Sequence, residues 1–472
     1  MNRYLYLIKN IGLLTLSNFA TKMLSFFLVP LYTNVLTTTE YGTYDLFYTT
    51  ISVLVPILTL NIQESVLRFA LEKKYNKDAL VTIAVRYFLI SCGIVLIALM
   101  INTIFDLNVL EKEYSIFFFL MFLSQALSGI VLAYTRGIDK ISEMSVSSVV
   151  GSVVTIGCNI LFLVYFKWGL DGYFLANIIG PVMQSLILLF STHFLEKIHL
   201  RKKYSQEKEE MLNYSRPLIA NSIAWWINNA SDRYVVTFFC GLAENGIYSV
   251  ASKIPSILNI AQTIFNQAWT LSAVKDFDPE DKNEFFTNTY KAYNCFMVVL
   301  CSAIIVADKI LANFLYAKDF YVAWRYVPWL TIAILFGAMS GYIGGFFSAV
   351  KNSKIFAQST VVGAVLNIIM NVVFTPLLGA LGAAIATAIS YFVVWAIRYW
   401  YSKRFIKLKV HLVRDIITYI LLVVQAVILL IVSNDFLLYG IEVGLFLIVV
   451  FLYNAEILQF ARKLCEKIQR RR

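Results

Sequence analysis

Glu40-Tyr41-Gly42-Thr43-Tyr44 returns 204 residues later as Glu244-Asn245-Gly246-Ile247-Tyr248. Two more recurrences follow in the same order. Val149-Val150-Gly151, with Asn159 and Phe162 behind it, returns as Val361-Val362-Gly363 with Asn371 and Phe374; Gly169-x-x-Gly172-x-x-x-Ala176 returns as Gly379-x-x-Gly382-x-x-x-Ala386. Small residues are common in packed membrane helices, so one match would mean little. Three in one order, at a nearly constant offset, point to two alike halves. Two alike halves in a membrane are the usual architecture of a transporter.

The segments around these motifs are almost free of charge. Of 472 residues, 59% are hydrophobic and 15% charged, against about 25% charged in soluble domains; the mean hydropathy is +0.70. A spanning helix needs roughly 20 mostly apolar residues, and fourteen such stretches run along the chain. They fall near 11–36, 43–67, 80–105, 114–135, 143–166, 171–194, 215–241, 246–272, 287–308, 324–349, 354–377, 380–402, 413–433 and 437–461. Runs this long exceed barrel strands of about 9–11 residues. The expectation is therefore an all-α integral membrane protein. The first run lacks a small-x-small exit and is expected to stay as the first span.

Six spans per repeat is an even number, so both halves point the same way, as parallel repeats about an axis along the membrane normal. Residues 1–200 are expected to form one six-helix bundle. Residues 201–405 form the second, with 201–214 as a cytoplasmic linker, and 406–472 add two helices and a basic tail. The net charge of +11 suggests nucleic acid only until positions are read. Lys and Arg concentrate in the termini and even-numbered loops, while odd-numbered loops carry only Lys112, Lys167, Lys309, Lys318 and Arg325. That asymmetry places both termini in the cytoplasm, and such basic tracts meet anionic lipid headgroups. No nucleic-acid partner is expected.

Enzyme signatures are missing: there is no phosphate loop, no His-Glu-x-x-His and no Gly-x-Ser-x-Gly. Six scattered cysteines without a Cys-x-x-Cys pair, and three histidines at helix ends, indicate neither metal nor cofactor. What remains is polar chemistry inside spans, where charge is costly and marks a wet cavity or a partner. In the seventh span Asn221, Trp225, Asn228 and Asp232 share one helical face, and Ser222, Trp226, Asn229 and Arg233 the adjoining stripe. The eighth repeats the pattern with Asn259, Gln262, Asn266 and Trp269, flanked by Thr263, Gln267 and Thr270. Span two adds Asn61, Glu64 and Arg68, and span one adds Lys22. Amides and indoles suit sugars; cations suit phosphate.

Structural readings stand beside these. Glu64 and Arg68 fit an i,i+4 ion pair, and Lys22 fits a side chain snorkelling to the inner headgroups. Asp232 and Arg233 face different ways and fit pairing with other helices. Asn159 and Asn371 fit buried amides between packed helices.

Pro30-Leu31-Tyr32 leading into Glu40-Tyr41-Gly42-Thr43-Tyr44, then Glu64-x-x-x-Arg68-Phe69, resembles the start of the polysaccharide repeat-unit flippases, the O-antigen and capsule translocases. Asp232-Arg233-Tyr234 through Gly246-Ile247-Tyr248 to Lys253-Ile254-Pro255 is similar to that family's second half. Asn371-x-x-Phe374, Pro376 and Gly379-x-x-Gly382-Ala383 match its eleventh and twelfth spans. The likeness covers about 10–400 and extends to the superfamily shared with multidrug/toxin extruders (MATE) and lipid II flippases. It implies two V-shaped six-helix bundles around a central cavity lined by spans one, two, seven and eight. It also implies transport of an undecaprenyl-diphosphate-linked oligosaccharide across the bacterial inner membrane by alternating access. A polysaccharide polymerase and a chain-length regulator would be partners. Lys22, Arg68 and Arg233 would attract the diphosphate; Trp225, Asn228, Asn229, Asn266, Gln267 and Trp269 would contact sugar. The alternative is a cation-coupled drug extruder of the same superfamily. A glycan polymerase or ligase is disfavoured, because the longest outside loop lies only near 308–324.

Overall fold

A computed structural model describes residues 23, 26–106, 112–275, 277–350 and 353–459. Helices account for all regular structure among them. They are α1 (Val29–Val35), α2 (Thr38–Leu58), α3 (Ile62–Ala70), α4 (Lys77–Ile104), α5 (Ser115–Gly137), α6 (Ile141–Asn159), α7 (Gly169–Ser191) and α8 (Ser205–Cys240). The series continues with α9 (Leu242–Ala251), α10 (Ser256–Lys275), α11 (Phe285–Leu315), α12 (Val327–Ala349), α13 (Ser353–Leu378), α14 (Ala380–Ser402), α15 (Leu412–Ile431) and α16 (Asp435–Leu452). Ten of the described helices are long and apolar enough to cross a membrane, and the bent pair α2–α3 makes an eleventh. The chain divides into two compact units, Met1–Ser231 and Asp232–Arg472.

Three of the expected spans differ in form. The second is broken, with α2 and α3 meeting at 62°. Pro56 lies in its last turn, and Leu60 and Asn61 take left-handed backbone at φ 52° and 53°. The eighth is interrupted between α9 and α10, where Pro255 cannot donate to a helical carbonyl and disfavours helix in the residue before it. The seventh extends the other way: α8 starts at Ser205, so most of the expected linker is helix.

The recurring motifs acquire local meanings. Glu40 is the third residue of α2 and closes a capping box, its Oε2 accepting from the Thr37 amide at 2.7 Å while Thr37 Oγ1 accepts from the Glu40 amide at 3.2 Å. Glu244 instead accepts from the Tyr326 hydroxyl. Gly169 opens its helix and Gly379 precedes its own, both at positive φ, 56° and 65°, where other residues would be strained. Three residues on, a Cβ on Gly172 would lie 2.8 Å from the Phe162 Cβ, and one on Gly382 would lie 3.0 Å from the Phe374 Cβ. The two Phe–Gly contacts are the same close approach of consecutive helices. Asn159 and Asn371 also act alike, each buried and donating to the carbonyl four residues back.

In the first unit α6 packs on α7, and α7 on α5; α3 packs on α5. In the second, α14 lies against α12 and α13, and α10 against α12. The last two helices pack on α11 and on each other. A polar network holds them. Tyr419 Oη donates to Asn294 Oδ1 at 2.8 Å, Asn294 Nδ2 to Tyr453 Oη at 2.9 Å, and Tyr453 Oη to Asp415 Oδ1 at 3.0 Å.

Candidate functional site

The first unit contains a cleft of about 420 Å³ at the middle of its helices. Tyr44 and Tyr48 come from α2, Gln125 and Ser128 from α5, Ser152 and Thr155 from α6, and Asn177 and Gln184 from α7. Each helix sends the polar pair from one face: spacings of three, four and seven residues all return a side chain to the same side. None of the lining residues is charged. Part of their bonding capacity is used internally. Gln184 Nε2 donates to Ser148 Oγ at 2.8 Å, and Asn177 Nδ2 to the Tyr173 carbonyl at 2.8 Å. Both amide oxygens are left as acceptors by these bonds. The Gln125 side chain makes no hydrogen bond to the described residues. Neutral donors and acceptors beside tyrosine rings suit a ligand rich in hydroxyls, since orientation comes from a few placed polar groups on an otherwise apolar wall.

The residues singled out in the sequence are distributed as follows. Lys22 lies outside the described residues, and nothing is described of the Trp225 and Gln267 side chains. Asn61 is 2% exposed; its Nδ2 donates to Ser222 Oγ of α8 at 3.2 Å, fastening the start of α3. It is a joint between helices rather than a lining residue. Ser65 and Tyr75 reinforce that joint by donating to the Met211 carbonyl at 2.5 Å and to Glu210 at 2.7 Å. Glu64 is half-buried and does not pair with Arg68. Arg68 is exposed and pairs with Glu72 at 2.7 Å, one turn in the other direction. An exposed pair of this kind contributes little, so the guanidinium remains available to an anion.

On α8, Asn228 Nδ2 donates to the Ala224 carbonyl at 2.9 Å, and Asn229 is exposed. Trp226 Nε1 donates to the Thr49 carbonyl at 2.9 Å, so that indole braces α8 against α2. In the second unit Asp232 and Arg233 engage each other, and Asp232 also pairs with another helix, as expected of neighbours facing apart. Asp232 Oδ1 accepts from the Arg233 backbone amide at 3.0 Å and lies 3.6 Å from its guanidinium. The longer reach of the arginine side chain closes the angle between adjacent positions. Tyr248 Oη donates to Asp232 Oδ2 at 2.5 Å, which ties α9 to the end of α8.

Trp269 is the clearest correction. Its indole is 4% exposed, donates to the Tyr342 carbonyl at 2.8 Å and stacks on the Tyr342 ring at 4.1 Å. A Cβ on Gly345 would lie 2.7 Å from Nε1, so the missing side chain makes room for the ring. This is dry packing, not a sugar platform. Asn266, one turn earlier, lies against Gly341 of the same helix.

The sequence profile of the family described as polysaccharide biosynthesis protein matches residues 7–273. A curated relative, the probable low-salt glycan biosynthesis flippase Agl15 of Haloferax volcanii, is 21% identical over 359 residues, covering 73% of each chain. Among solved structures, the lipid II flippase MurJ in an inward closed conformation superposes with a TM-score of 0.68 at 15% identity, over 95% of this chain and 99% of that one. An inward-facing multidrug resistance MATE family transporter superposes with a TM-score of 0.66 at 13% identity, over 83% and 94%. A transporter of the same superfamily from Pyrococcus furiosus gives 0.56 at 14%, over 84% and 92%. The likeness in fold spans nearly the whole chain.

Proposed function

The chain belongs to the polysaccharide biosynthesis protein family, and from that membership we propose that it is a flippase for undecaprenyl-diphosphate-linked oligosaccharides. It would carry repeat units across the bacterial inner membrane by alternating access, for O-antigen or capsule synthesis. The observation that carries the reading is the uncharged, amide- and hydroxyl-lined cleft at mid-helix in the first unit. An oligosaccharide crossing a bilayer must exchange its water for hydrogen bonds of this kind, because unpaired polar groups there cost several kcal/mol, on the order of 2–7 each. The relative named as a glycan flippase and the fold shared with a lipid II flippase support the same substrate class.

In this reading Gln125, Asn177 and Gln184 receive sugar hydroxyls, and the ring faces of Tyr44 and Tyr48 cover the apolar side of a pyranose. Arg68 and Arg233 take the diphosphate, each by exchanging a carboxylate partner for a phosphate oxygen. Asn228 and Asn229 contact sugar; Asn61 and Trp269 hold helices in place. Extrusion of cationic drugs is the weaker reading, because the cleft has no carboxylate to receive a cation.

The test is complementation. In a strain lacking its own repeat-unit flippase, Gln125→Leu/Asn177→Leu should abolish surface polysaccharide while leaving protein level and melting behaviour unchanged. Accumulation of lipid-linked repeat units on the inner leaflet should accompany the loss. Full glycan display by the double variant would overturn the role of the cleft.

A further inference from the structure

Asp308 is fully buried in α11, and neither carboxylate oxygen has a hydrogen-bond partner among the described residues. Glu442 of α16 is equally buried; its Oε2 accepts from Gln425 Nε2 of α15 at 3.0 Å, while Oε1 has no partner among the described residues. Gln425 Oε1 in turn accepts from Ser302 Oγ of α11 at 2.8 Å. One glutamine thus bridges the three helices, and α11, which carries Asp308, packs directly on α16, which carries Glu442.

Counted from the helix ends, Asp308, Glu442 and Gln425 fall at similar depths, with Ser302 six residues deeper on α11 than Asp308. Asp308 is seven residues from the end of α11, Glu442 seven from the start of α16 and Gln425 six from the end of α15. At 1.5 Å per residue each lies about 10 Å below the same face, the one opposite the basic loops.

The surroundings cannot neutralise two negative charges. Lys309 follows Asp308 and lies within electrostatic reach of it, but is shared with Asp435, at 3.9 Å, and the Trp324 ring, at 4.8 Å, so one cation stands against three carboxylates. Tyr321 of the short helical segment Lys318–Arg325 and Tyr439 of α16 are the other titratable groups near Asp308. The single titratable residue of α12, Tyr342, sits at the opposite end and donates to the Phe286 carbonyl. An isolated carboxylate moved from water into such a place costs far more than a protein retains, and such a group neutralises instead.

We propose that Asp308 and Glu442, the latter held by Gln425 and through it by Ser302, form a proton-binding site between α11, α15 and α16, separate from the polar cleft of the first unit. Each acid takes one proton from the aqueous side nearest Asp435, forming a neutral carboxyl group, and returns it by the same route. The site gives the last two helices a chemical task and stands independently of the transported substrate.

The experiment is an infrared pH titration of the full-length protein in lipid nanodiscs, following the carbonyl band of protonated carboxyl groups. At neutral pH the wild type should show that band, and the Asp308→Asn difference spectrum should show loss of its Asp308 component. Glu442→Gln, which keeps the Gln425 contact, should shift the remaining component, and this second variant serves if Asp308→Asn does not fold. A neutral-pH band unchanged by either variant would overturn the proposal. So would a band that is bleached by added Na⁺ at constant pH, which would make the site one for a metal cation. The readout needs no glycan, so its failure is distinct from failure of the flippase reading.

Discussion

Replacing Asn61 tests how the break between α2 and α3 is held. Asn61 sits at φ 53°, ψ 32° and donates to Ser222 at 3.2 Å. Asn61→Ala removes a hydrogen bond with a net contribution of about 1 kcal/mol. It also puts a residue with a Cβ but no local hydrogen bonding into left-handed backbone, at about 1 kcal/mol more. The sum, about 2 kcal/mol, is roughly a 30-fold change in the folded-to-unfolded ratio. Asn61→Gly loses the bond but not the backbone freedom, so it should cost only about 1 kcal/mol, roughly fivefold. Equilibrium unfolding in mixed micelles, titrated with a denaturing detergent, reads both. A cycle with Ser222→Ala should give a coupling of about 1 kcal/mol. If glycine proves as harmful as alanine, the left-handed backbone is not what selects asparagine. A coupling of zero would mean that the contact with α8 does not hold the joint.

Two further outcomes follow from contacts described above. Trp269→Ala should destabilise the second unit by about 3–5 kcal/mol, whereas Trp269→Phe should retain most of the packing and leave glycan display intact; display lost in Trp269→Phe with normal stability would restore a substrate role. Lys409 donates to Glu284 at 2.7 Å, which lowers the Glu284 pKa from 4.5 and raises the Lys409 pKa from 10.5. The contribution of this pair is therefore present between those ordinary values. It is lost as pH falls through the lowered glutamate value, or rises through the elevated lysine value. Wild type and Lys409→Met should differ in melting temperature at neutral pH and converge in acid; a difference that persists in acid would refute the pairing.

Much of the fold is legible in composition and run length, because lipid demands long, uniformly apolar helices. The bend at Leu60–Asn61 is not, since leucine gives no warning of left-handed backbone and asparagine is read equally well as a lining amide. Trp269 shows the limit of helical periodicity. Spacing places it on the same face as Asn266, but the missing side chains of Gly341 and Gly345 on another helix decide that this face is packed. The cleft of the first unit escaped for the opposite reason. Gln125, Asn177 and Gln184 are isolated polar residues in apolar runs, and only the packing of α5, α6 and α7 gathers them. The signal was present as same-face spacing within each helix. Run length ends the ninth span at Asp308, whereas α11 continues to Leu315.

The buried polar side of α11 bears on how the chain is made and how its relatives can differ. Asn294 and Ser302 leave the ribosome more than a hundred residues before Tyr419 and Gln425, the groups that shield them, and Asp308 emerges with them. Until synthesis is nearly complete, that stripe must be sheltered by something else, be it a neighbouring helix, an insertase or trapped water. A shortened relative ending after α14 would have to replace the stripe with apolar residues at the same time, so helix number and the chemistry of α11 should change together.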